Sequence, residues 1–343
     1  MDQSTIDSCD WGESITALIP ARSEAATIRS TLESIVAQPG IASVVVVDDQ
    51  SEDETATIAA QVPGVQVIRG RSAPPNWSGK LWAQQQGLAA IDTPHVLLID
   101  ADIRLAPGMV PALAQKLEGD ELDQVSIMAS LPASTWPEKL MLPAFVYFFK
   151  QLYPFAWVNR DDRPFAAAAG GCILVRREML ERAGAFEAWR DALIDDCALA
   201  NRVSAAGGRI WLGLSHGVKS LRRHPDFGSI LETVRRTAYA QLRHSPLLLL
   251  AVVAIMIPVF AVPPVATLRG FLAPDAVLGF AGLAGWLLMA LSFLPQVRFS
   301  RLGAGWAMAL PFSAMLFMSA TVDSAIRHHF GAGAGWKGRR YER

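Results

Sequence analysis

Short apolar runs alternate with helically spaced segments through the first hundred residues of this 343-residue chain. The runs that predict buried strands are 15–20, 44–47, 65–68 and 96–99. Helices are predicted over 25–37, from a capping-box pattern at 51–54 onward, and over 79–90. Strands that alternate with helices are typical of βαβ units, so the sequence predicts an α/β fold with a parallel sheet.

Beyond residue 102 the pattern is less regular. Further strands are predicted over 125–130 and 172–175, and further helices over 195–206 and 230–243. The segment 140–158 is rich in aromatic residues but is broken by Pro143, Lys150 and Pro154, so it does not read as a membrane span. Its rings favour a position at a membrane surface, and a buried core helix is the alternative.

Three long apolar stretches occupy the last hundred residues. Residues 246–268, 276–294 and 306–322 contain no charged side chain, and each approaches the ~20 residues that cross the hydrocarbon core of a bilayer. They predict integration into a membrane. The prolines of the first stretch, at positions 258, 263 and 264, predict a kink or a re-entrant segment there.

The basic residues do not give a simple membrane topology. Arg298 and Arg301 lie between the second and third stretches, and more basic residues follow the third. Lys and Arg favour the cytoplasmic side. Three full crossings would put the soluble part and the tail on opposite sides, although both have cytoplasmic features. One resolution is that one stretch does not cross fully.

Charge and cysteine content exclude some classes of protein. The 31 basic and 32 acidic residues give a formal net charge of −1, which argues against nucleic-acid binding. Cys9, Cys172 and Cys197 form no C-x-x-C pair, so neither a zinc site nor a disulfide framework is predicted, and a reducing compartment fits. Residues 1–13 are polar, so no cleavable signal is expected.

Carboxylates follow directly after two of the predicted strands. Asp100 and Asp102 come after the fourth strand, and Asp48 and Asp49 after the second. Open α/β sheets bind ligands at the carboxyl ends of their strands. Two carboxylates spaced i, i+2 there can share one hard divalent cation that keeps positions for phosphate oxygens. The alternative for both pairs is an Asp-rich turn, because Asp is common in turns.

Five short motifs occur in the order known from one enzyme family. They are Pro20-Ala21-Arg22-Ser23-Glu24, Asp48-Asp49-Gln50-Ser51-Glu52-Asp53, Gly79-Lys80, Asp100-Ala101-Asp102 and Asp195-Asp196. Over residues 14–245 the chain therefore resembles the family 2 glycosyltransferases, which implies a GT-A fold with a Rossmann-like, mixed, mostly parallel sheet. The apolar stretches and Trp336-Lys337-Gly338-Arg339 resemble a membrane-bound branch that contains ceramide glucosyltransferases and, more closely, the bacterial hopanoid-associated glycosyltransferases called HpnB.

The resemblance implies a role for each of these side chains. Asp102, with Asp100 behind it, would hold Mg²⁺ or Mn²⁺ against the diphosphate of a nucleotide sugar. Asp196, supported by Asp195, would be the general base for an acceptor hydroxyl, with inversion of configuration. The residues implied in nucleotide-sugar binding are Ala21, Glu24, Asp48, Asp49, Lys80, Asp100, Gln241 and Arg243.

Some of these residues have ordinary structural alternatives, and one loop differs from the family. Lys80 also fits an exposed lysine at a helix start. Asp195 and Asp196 also fit acidic residues that favour the N-terminal end of a helix dipole. The first loop has Ser23 where the family usually has Asn.

A motif near the membrane departs from the family pattern. Processive and ceramide-type members carry Q/R-x-x-R-W, whereas this chain has Gln241-Leu242-Arg243-His244-Ser245, without the Trp. The difference argues against a polymer-making synthase and leaves the acceptor open. Arg235, Arg236 and Arg243 would then contact either a diphosphate or anionic lipid headgroups.

The resemblance implies transfer of a sugar from a nucleotide sugar, expected to be a UDP-sugar, to a membrane lipid hydroxyl in hopanoid metabolism. The alternatives are a polyprenyl-phosphate or carotenoid acceptor and, in another class, a catalytically silent scaffold in lipid synthesis. The expected segments are a polar extension 1–13, a GT-A domain 14–245, a membrane region 246–325 and a basic tail 326–343. We expect a multi-pass protein of the bacterial inner membrane whose catalytic domain faces the cytoplasm. We also expect it to associate with lipid-biosynthesis enzymes.

Overall fold

A computed structural model describes residues 14–162, 165–273 and 275–330, together with 335–336 and 339–340. The strands are β1 Ile15–Ala21, β2 Ile41–Asp48, β3 Val65–Arg69, β4 His95–Ile99, β5 Ile103–Leu105, β6 Gln124–Ser130, β7 Cys172–Arg176, β8 Ile210–Ser220, β9 Gly335–Trp336 and β10 Arg339–Arg340. The helices are α1 Ile28–Val36, α2 Thr55–Ala60, α3 Gly79–Leu88, α4 Met109–Gly119, α5 Trp136–Leu152, α6 Phe155–Val158, α7 Arg177–Arg182, α8 Asp195–Ala205, α9 Phe227–Gln241, α10 Pro246–Met256, α11 Val262–Leu272, α12 Ala276–Phe299 and α13 Leu310–Phe330.

The described residues divide into two compact units. The first runs to Ser130 and resumes from Tyr153 to Arg222, and the second contains Leu131–Leu152 and the chain from Arg223 onward. The segment 223–245, which the sequence analysis assigned to the GT-A domain, lies in the second unit. The same is true of α5, because its buried face is apolar and packs among the apolar helices of that unit.

The first unit is built on one mixed sheet. Its strands lie in the order β3-β2-β1-β4-β7-β6-β8-β5. β1 pairs in parallel with β2 and β4, as β2 does with β3 and β6 with β8, whereas β7 and β5 pair antiparallel with their neighbours. The predicted α/β fold with a mixed, mostly parallel sheet is confirmed. Every residue of β1 is buried, as a central parallel strand requires.

Helix α3 packs closely on the central strands. A Cβ atom at Gly87 would lie 2.3 Å from Leu18 Cδ1 and 2.8 Å from Val47 Cγ2, so glycine permits this approach to β1 and β2. The helix begins at Gly79 and Lys80, and Lys80 lies beside the carboxyl end of β4, where its Nζ contacts Asp100.

The predicted capping box at 51–54 is wrong. Helix α2 begins at Thr55, and the hydroxyl of Ser51 instead accepts the backbone N–H of Ser23 at 2.9 Å. Asp53 accepts the N–H groups of Thr55 and Ala25, each at 3.1 Å. The polar side chains of this loop therefore hold the neighbouring β1–α1 loop, a long-range use that competes with a local cap.

Helix α5 supplies much of the apolar core of the second unit. Leu140, Met141, Leu142 and Ala144 are buried, and Ser313 Oγ of α13 donates to the carbonyl oxygen of Leu140 at 2.8 Å. For this part of the segment 140–158, the buried core helix is the arrangement found. The predicted position of the remaining aromatic residues at a membrane surface stays a prediction.

Three helical segments are long and apolar enough to cross a membrane, as predicted. They are Pro246–Leu272, Ala276–Phe299 and Ala304–Phe330. The first contains a π-helical turn at Ile257–Ala261, in the proline-containing part of the stretch. None of the 18 most apolar consecutive residues of this segment is buried, which is the exposure expected of a lipid-facing helix.

The C-terminal motif is only partly described. Gly335–Trp336 and Arg339–Arg340 form a short antiparallel ribbon, whereas positions 337 and 338 of the motif lie outside the described residues. The predicted polar extension 1–13 also lies outside them.

Candidate active site

The acidic motifs of the first unit lie at one edge of the sheet. β2 ends at Asp48, Asp49 follows it, and Asp100 follows β4. β2 and β4 flank β1 and run parallel to it, so neighbouring strand ends are about 4.8 Å apart and the two acidic ends about 10 Å apart. β2 lies on one side of β1 and β4 on the other, so the order of the strands reverses at β1. Open α/β sheets bind ligands in the crevice that forms at such a point.

The loop after β1 is held against the end of β2. Arg22 donates to the backbone oxygen of Asp49 at 2.6 Å, and its guanidinium lies 3.9 Å from the Asp49 carboxylate. Asp49 is completely buried. Asp48 Oδ1 is buried as well and has no hydrogen-bond partner among the described residues. A buried acceptor without a partner is unusual, because such groups are normally hydrogen-bonded in native proteins.

Lys80 joins two of the acidic motifs. Its Nζ lies 2.8 Å from Asp100 Oδ1 and 2.8 Å from Asp195 Oδ2. Burial opposes its charge, but the two carboxylates outweigh burial and raise its pKa, so the ammonium stays protonated. The alternative of an exposed helix-start lysine is wrong, because only 17% of the side chain is exposed.

Asp196 is fixed by two backbone groups. Its Oδ2 accepts the N–H of Gly170 at 2.7 Å, and its Oδ1 accepts the N–H of Cys197 at 2.8 Å. Burial and the neighbouring Asp195 raise its pKa to about 7, against the opposing effects of Lys80 and the two N–H groups. A carboxylate with this pKa is suited to accept a proton near neutral pH.

Asp102 has a partner that the sequence did not indicate. Arg222 Nε donates to Asp102 Oδ2 at 2.8 Å, and Arg222 also donates to Glu24 Oε1 at 3.0 Å. The antiparallel pairing of the three-residue strand β5 with β8 brings the end of β8 to this place. The available signal was weak: a basic Arg222-Arg223 pair two residues after a strand whose second half is polar.

Gly170 was also missed, although it touches the predicted base. We expect Gly170→Ala to lower kcat about 10- to 100-fold with little change in donor affinity, because its Cβ would lie 3.1 Å from Asp196 Oδ2 and displace the carboxylate. Steady-state kinetics and donor titration measure the two quantities. Gly119→Ala is the control, since no atom lies within 4 Å of its Cβ position. Equal activity of both variants would contradict the expectation.

Two of the residues that were predicted to bind the nucleotide sugar belong to the second unit. Gln241 is the last residue of α9, and Arg243 follows with a positive φ of 52°. Ala21 and Glu24 are at the end of β1 and in the loop after it, in the first unit. The roles of Gln241 and Arg243 in binding a nucleotide sugar stay predictions.

The carboxylate oxygens of Asp100 and Asp102 can supply some of the ligands of a divalent cation. Within the described residues no cluster of three or more His, Cys, Asp or Glu side chains could hold a metal ion alone. Asp100 and Asp102 nevertheless offer carboxylate oxygens, which Mg²⁺ and Mn²⁺ prefer, and Mg²⁺ commonly takes one or two carboxylates with phosphate oxygens and water. These residues fit a cation that a bound diphosphate helps to coordinate.

Comparisons with known proteins match the chain to one family of enzymes. Residues 16–184 match the family model described as glycosyl transferase family 2. A 4,4'-diaponeurosporenoate glycosyltransferase of Staphylococcus aureus strain bovine RF122 / ET3-1 is 36% identical over 91 residues, which are 26% of this chain and 24% of that protein. The protein of the same description from strain MRSA252 is 35% identical over 91 residues, with the same coverage. The chain thus spans about a quarter of the length of these curated relatives.

A solved structure shares the fold. The mannosyltransferase PcManGT from Pyrobaculum calidifontis, solved with GDP-Man and Mn²⁺, has a TM-score of 0.52 and 19% identity. The match covers 88% of this chain and 87% of that one. The likeness shows a GT-A-like fold.

Proposed function

We propose that this chain, whose residues 16–184 match the family model described as glycosyl transferase family 2, moves a sugar from a nucleotide sugar to a membrane lipid with inversion of configuration. One observation carries the proposal: Lys80 joins Asp100 after β4 to Asp195 at the start of α8, with Asp196 beside it. The proposed metal ligand Asp100 and the proposed general base Asp196 are thereby brought to the same edge of the sheet.

The donor half of the site is formed by the ends of β2 and β4. Asp102 and Asp100 would hold Mg²⁺ or Mn²⁺, which supplies positive charge to the leaving diphosphate when bound. Lys80 adds a fixed ammonium beside them. The buried Asp48 Oδ1, which lacks a partner among the described residues, can accept a hydrogen bond from a base or ribose of the nucleotide. Ala21, Glu24 and Asp49 complete this predicted donor site.

The acceptor half is centred on Asp196. Its carboxylate takes the proton of the acceptor hydroxyl as the oxygen attacks the anomeric carbon, and the nucleoside diphosphate leaves from the opposite face. Gly170 N–H and Cys197 N–H hold the carboxylate in place. Asp195, paired with Lys80, raises the proton affinity of Asp196 through its negative charge.

The rate of transfer should depend on the ionisation of Asp196. Only the carboxylate accepts a proton, and its pKa is about 7, so kcat/KM should fall about tenfold for each pH unit below that value and level off above it. Donor affinity measured over the same range is the control. A rate that is constant between about pH 5.5 and 8 would contradict the proposed base.

A lipid acceptor is proposed from the membrane segments. Three helical segments are long and apolar enough to span a bilayer. An acceptor hydroxyl that lies at the membrane surface explains why the site is attached to such segments. A hopanoid-type alcohol is our first candidate for the acceptor. A carotenoid is the second, favoured by the match to the diaponeurosporenoate glycosyltransferases, and a polyprenyl phosphate is the third. We place the protein in the bacterial inner membrane with the site towards the cytoplasm, in association with lipid-biosynthesis enzymes.

The proposal is tested with the full chain in lipid nanodiscs. Panels of UDP- and GDP-sugars are supplied with Mg²⁺, Mn²⁺ or EDTA, together with hopanoid, carotenoid and polyprenyl-phosphate lipids. Mass spectrometry of the extracted lipid should show one lipid gaining a hexose-type mass only with metal. Binding of a nucleotide without transfer from any donor would contradict the proposal and favour the silent scaffold.

A further inference from the structure

One guanidinium bridges two carboxylates at the donor half of the site. Arg222 Nε is 2.8 Å from Asp102 Oδ2, and its terminal nitrogen is 3.0 Å from Glu24 Oε1. The partners lie 120 and 198 residues away along the chain. Two separate nitrogens of the guanidinium thus each bind one carboxylate, and the two carboxylates come from different loops.

Arg222 forms the outer layer of this cluster. The side chains of Asp102 and Glu24 are 10% and 14% exposed, whereas that of Arg222 is 40% exposed. A ligand that approaches from solvent therefore meets the arginine first, and the carboxylates behind it are reached when the guanidinium moves.

The backbone beside Arg222 is held by hydrogen bonds, whereas 40% of its side chain is exposed to solvent. Leu221 N–H donates to the backbone oxygen of Asp102 at 2.7 Å, and Arg222 N–H donates to Ser220 Oγ at 3.3 Å. These bonds keep Arg222 next to Asp102. Rotation of the exposed side chain then transfers its charge a few ångströms without unfolding the strand end.

The positive charges of the protein and of a metal compete for the same oxygens. Asp102 Oδ2 is engaged by Arg222, and Asp100 Oδ1 by Lys80. A divalent cation on Asp102 would lie close to the guanidinium, where like charges repel. A diphosphate removes this conflict, because its oxygens accept both a cation and a bidentate guanidinium.

We propose that Arg222 is an internal counter-ion that occupies Asp102 in place of the divalent cation and passes to the donor diphosphate when donor and cation bind together. This inference rests on the proposed function, since it takes Asp102 as the cation ligand. Metal and nucleotide then bind cooperatively: each weakens the hold of Arg222 on Asp102, and by linkage each raises the affinity of the other.

The test measures Mn²⁺ binding without any turnover. The full chain is titrated with Mn²⁺, the free ion is followed by electron paramagnetic resonance, and titrations are run alone and with UDP or GDP. Arg222→Gln should bind Mn²⁺ alone about tenfold more tightly than the unmodified protein, because the competing charge is gone. In the same variant the gain in Mn²⁺ affinity produced by nucleotide should shrink by about tenfold, because the diphosphate has lost a partner.

Two variants make the comparison specific. Arg223→Gln removes the same charge from the adjacent exposed position and should leave Mn²⁺ affinity within about twofold. Arg222→Lys keeps the positive charge but loses the planar pair of N–H donors. Its affinity for Mn²⁺ alone should therefore lie between those of the unmodified protein and Arg222→Gln. It also replaces Arg222→Gln in the test if that variant does not fold, as judged by its thermal unfolding curve.

The outcomes separate this inference from the proposed function. If Arg222→Gln binds Mn²⁺ alone no more tightly than the unmodified protein, while Asp102→Asn abolishes binding, the counter-ion role is overturned and the metal site stands. If Asp102→Asn binds Mn²⁺ as the unmodified protein does, with and without nucleotide, both the counter-ion role and the proposed metal site are overturned.

Discussion

Asp196→Asn should lower kcat about a thousandfold or more and leave donor affinity within about threefold. The amide cannot accept the proton of the acceptor hydroxyl, whereas the donor contacts proposed for Asp102 and Lys80 are unchanged. Single-turnover transfer to the lipid, measured beside titration with the nucleotide, separates the two quantities. The pH dependence of the residual rate should also lose its inflection near 7.

The geometry of Asp196 calls for a stability control in this experiment. Both carboxylate oxygens accept backbone N–H groups, from Gly170 and Cys197. Asparagine has one acceptor oxygen, so one bond is lost, at a cost of about 1–3 kcal/mol in the free energy of unfolding. Asp191→Asn, at an exposed position of the loop before α8, should change neither activity nor stability. Near-normal transfer by folded Asp196→Asn would remove this residue from the mechanism.

Asp102→Asn should lower kcat/KM by about a thousandfold and reduce Mn²⁺ affinity to background. A neutral amide offers one weak oxygen ligand in place of a carboxylate, and the leaving diphosphate loses the positive charge that the cation supplies. Transfer assays over a range of Mn²⁺ concentrations measure the loss and show whether excess metal restores it in part.

Two comparisons make the Asp102 result interpretable. Asp92→Asn removes an exposed carboxylate from the opposite end of β4 and should retain full activity. Arg222 keeps its bond to Glu24 when Asp102 is replaced, so the loop after β1 should remain in place and the thermal midpoint should fall by only a few degrees. Metal-dependent transfer at the normal rate would show that Asp102 is not a ligand.

Local sequence was sufficient to predict β1, β2, β3, β4, β6 and β7 and the acidic residues that follow β2 and β4, but it did not predict β5 or β8. β1, β2 and β4 are continuous apolar segments because they are buried in a parallel sheet, and such burial is visible in a single run of residues. Their direction follows from the intervening helices, so the sequence assigns Asp48, Asp49 and Asp100 to one edge of the sheet. Their roles in binding and catalysis stay predictions.

Side chains whose local sequence fits two different arrangements were harder to predict. The pattern at 51–54 fits a helix cap by Ser51, yet Ser51 accepts an N–H group of the β1–α1 loop, and Asp53 accepts one N–H group from that loop and one from the start of α2. Lys80 fits an exposed helix start, yet it lies between Asp100 and Asp195. In each case the local pattern was compatible with both arrangements, and contacts distant in sequence selected one of them.

The sequence by itself determined the apolar strands β1, β2 and β4, the stretches that can span a membrane, and the acidic residues that follow β2 and β4, because each depends on the order of neighbouring residues. It did not determine β5 or β8, whose polar residues interrupt the apolar pattern. The tertiary structure alone decided that Arg222 meets Asp102, that Gly170 N–H holds Asp196, and that α5 belongs to the second unit. These arrangements depend on strand pairings and helix packing between distant segments, whose free energy is shared among many contacts and leaves no signal at any one position.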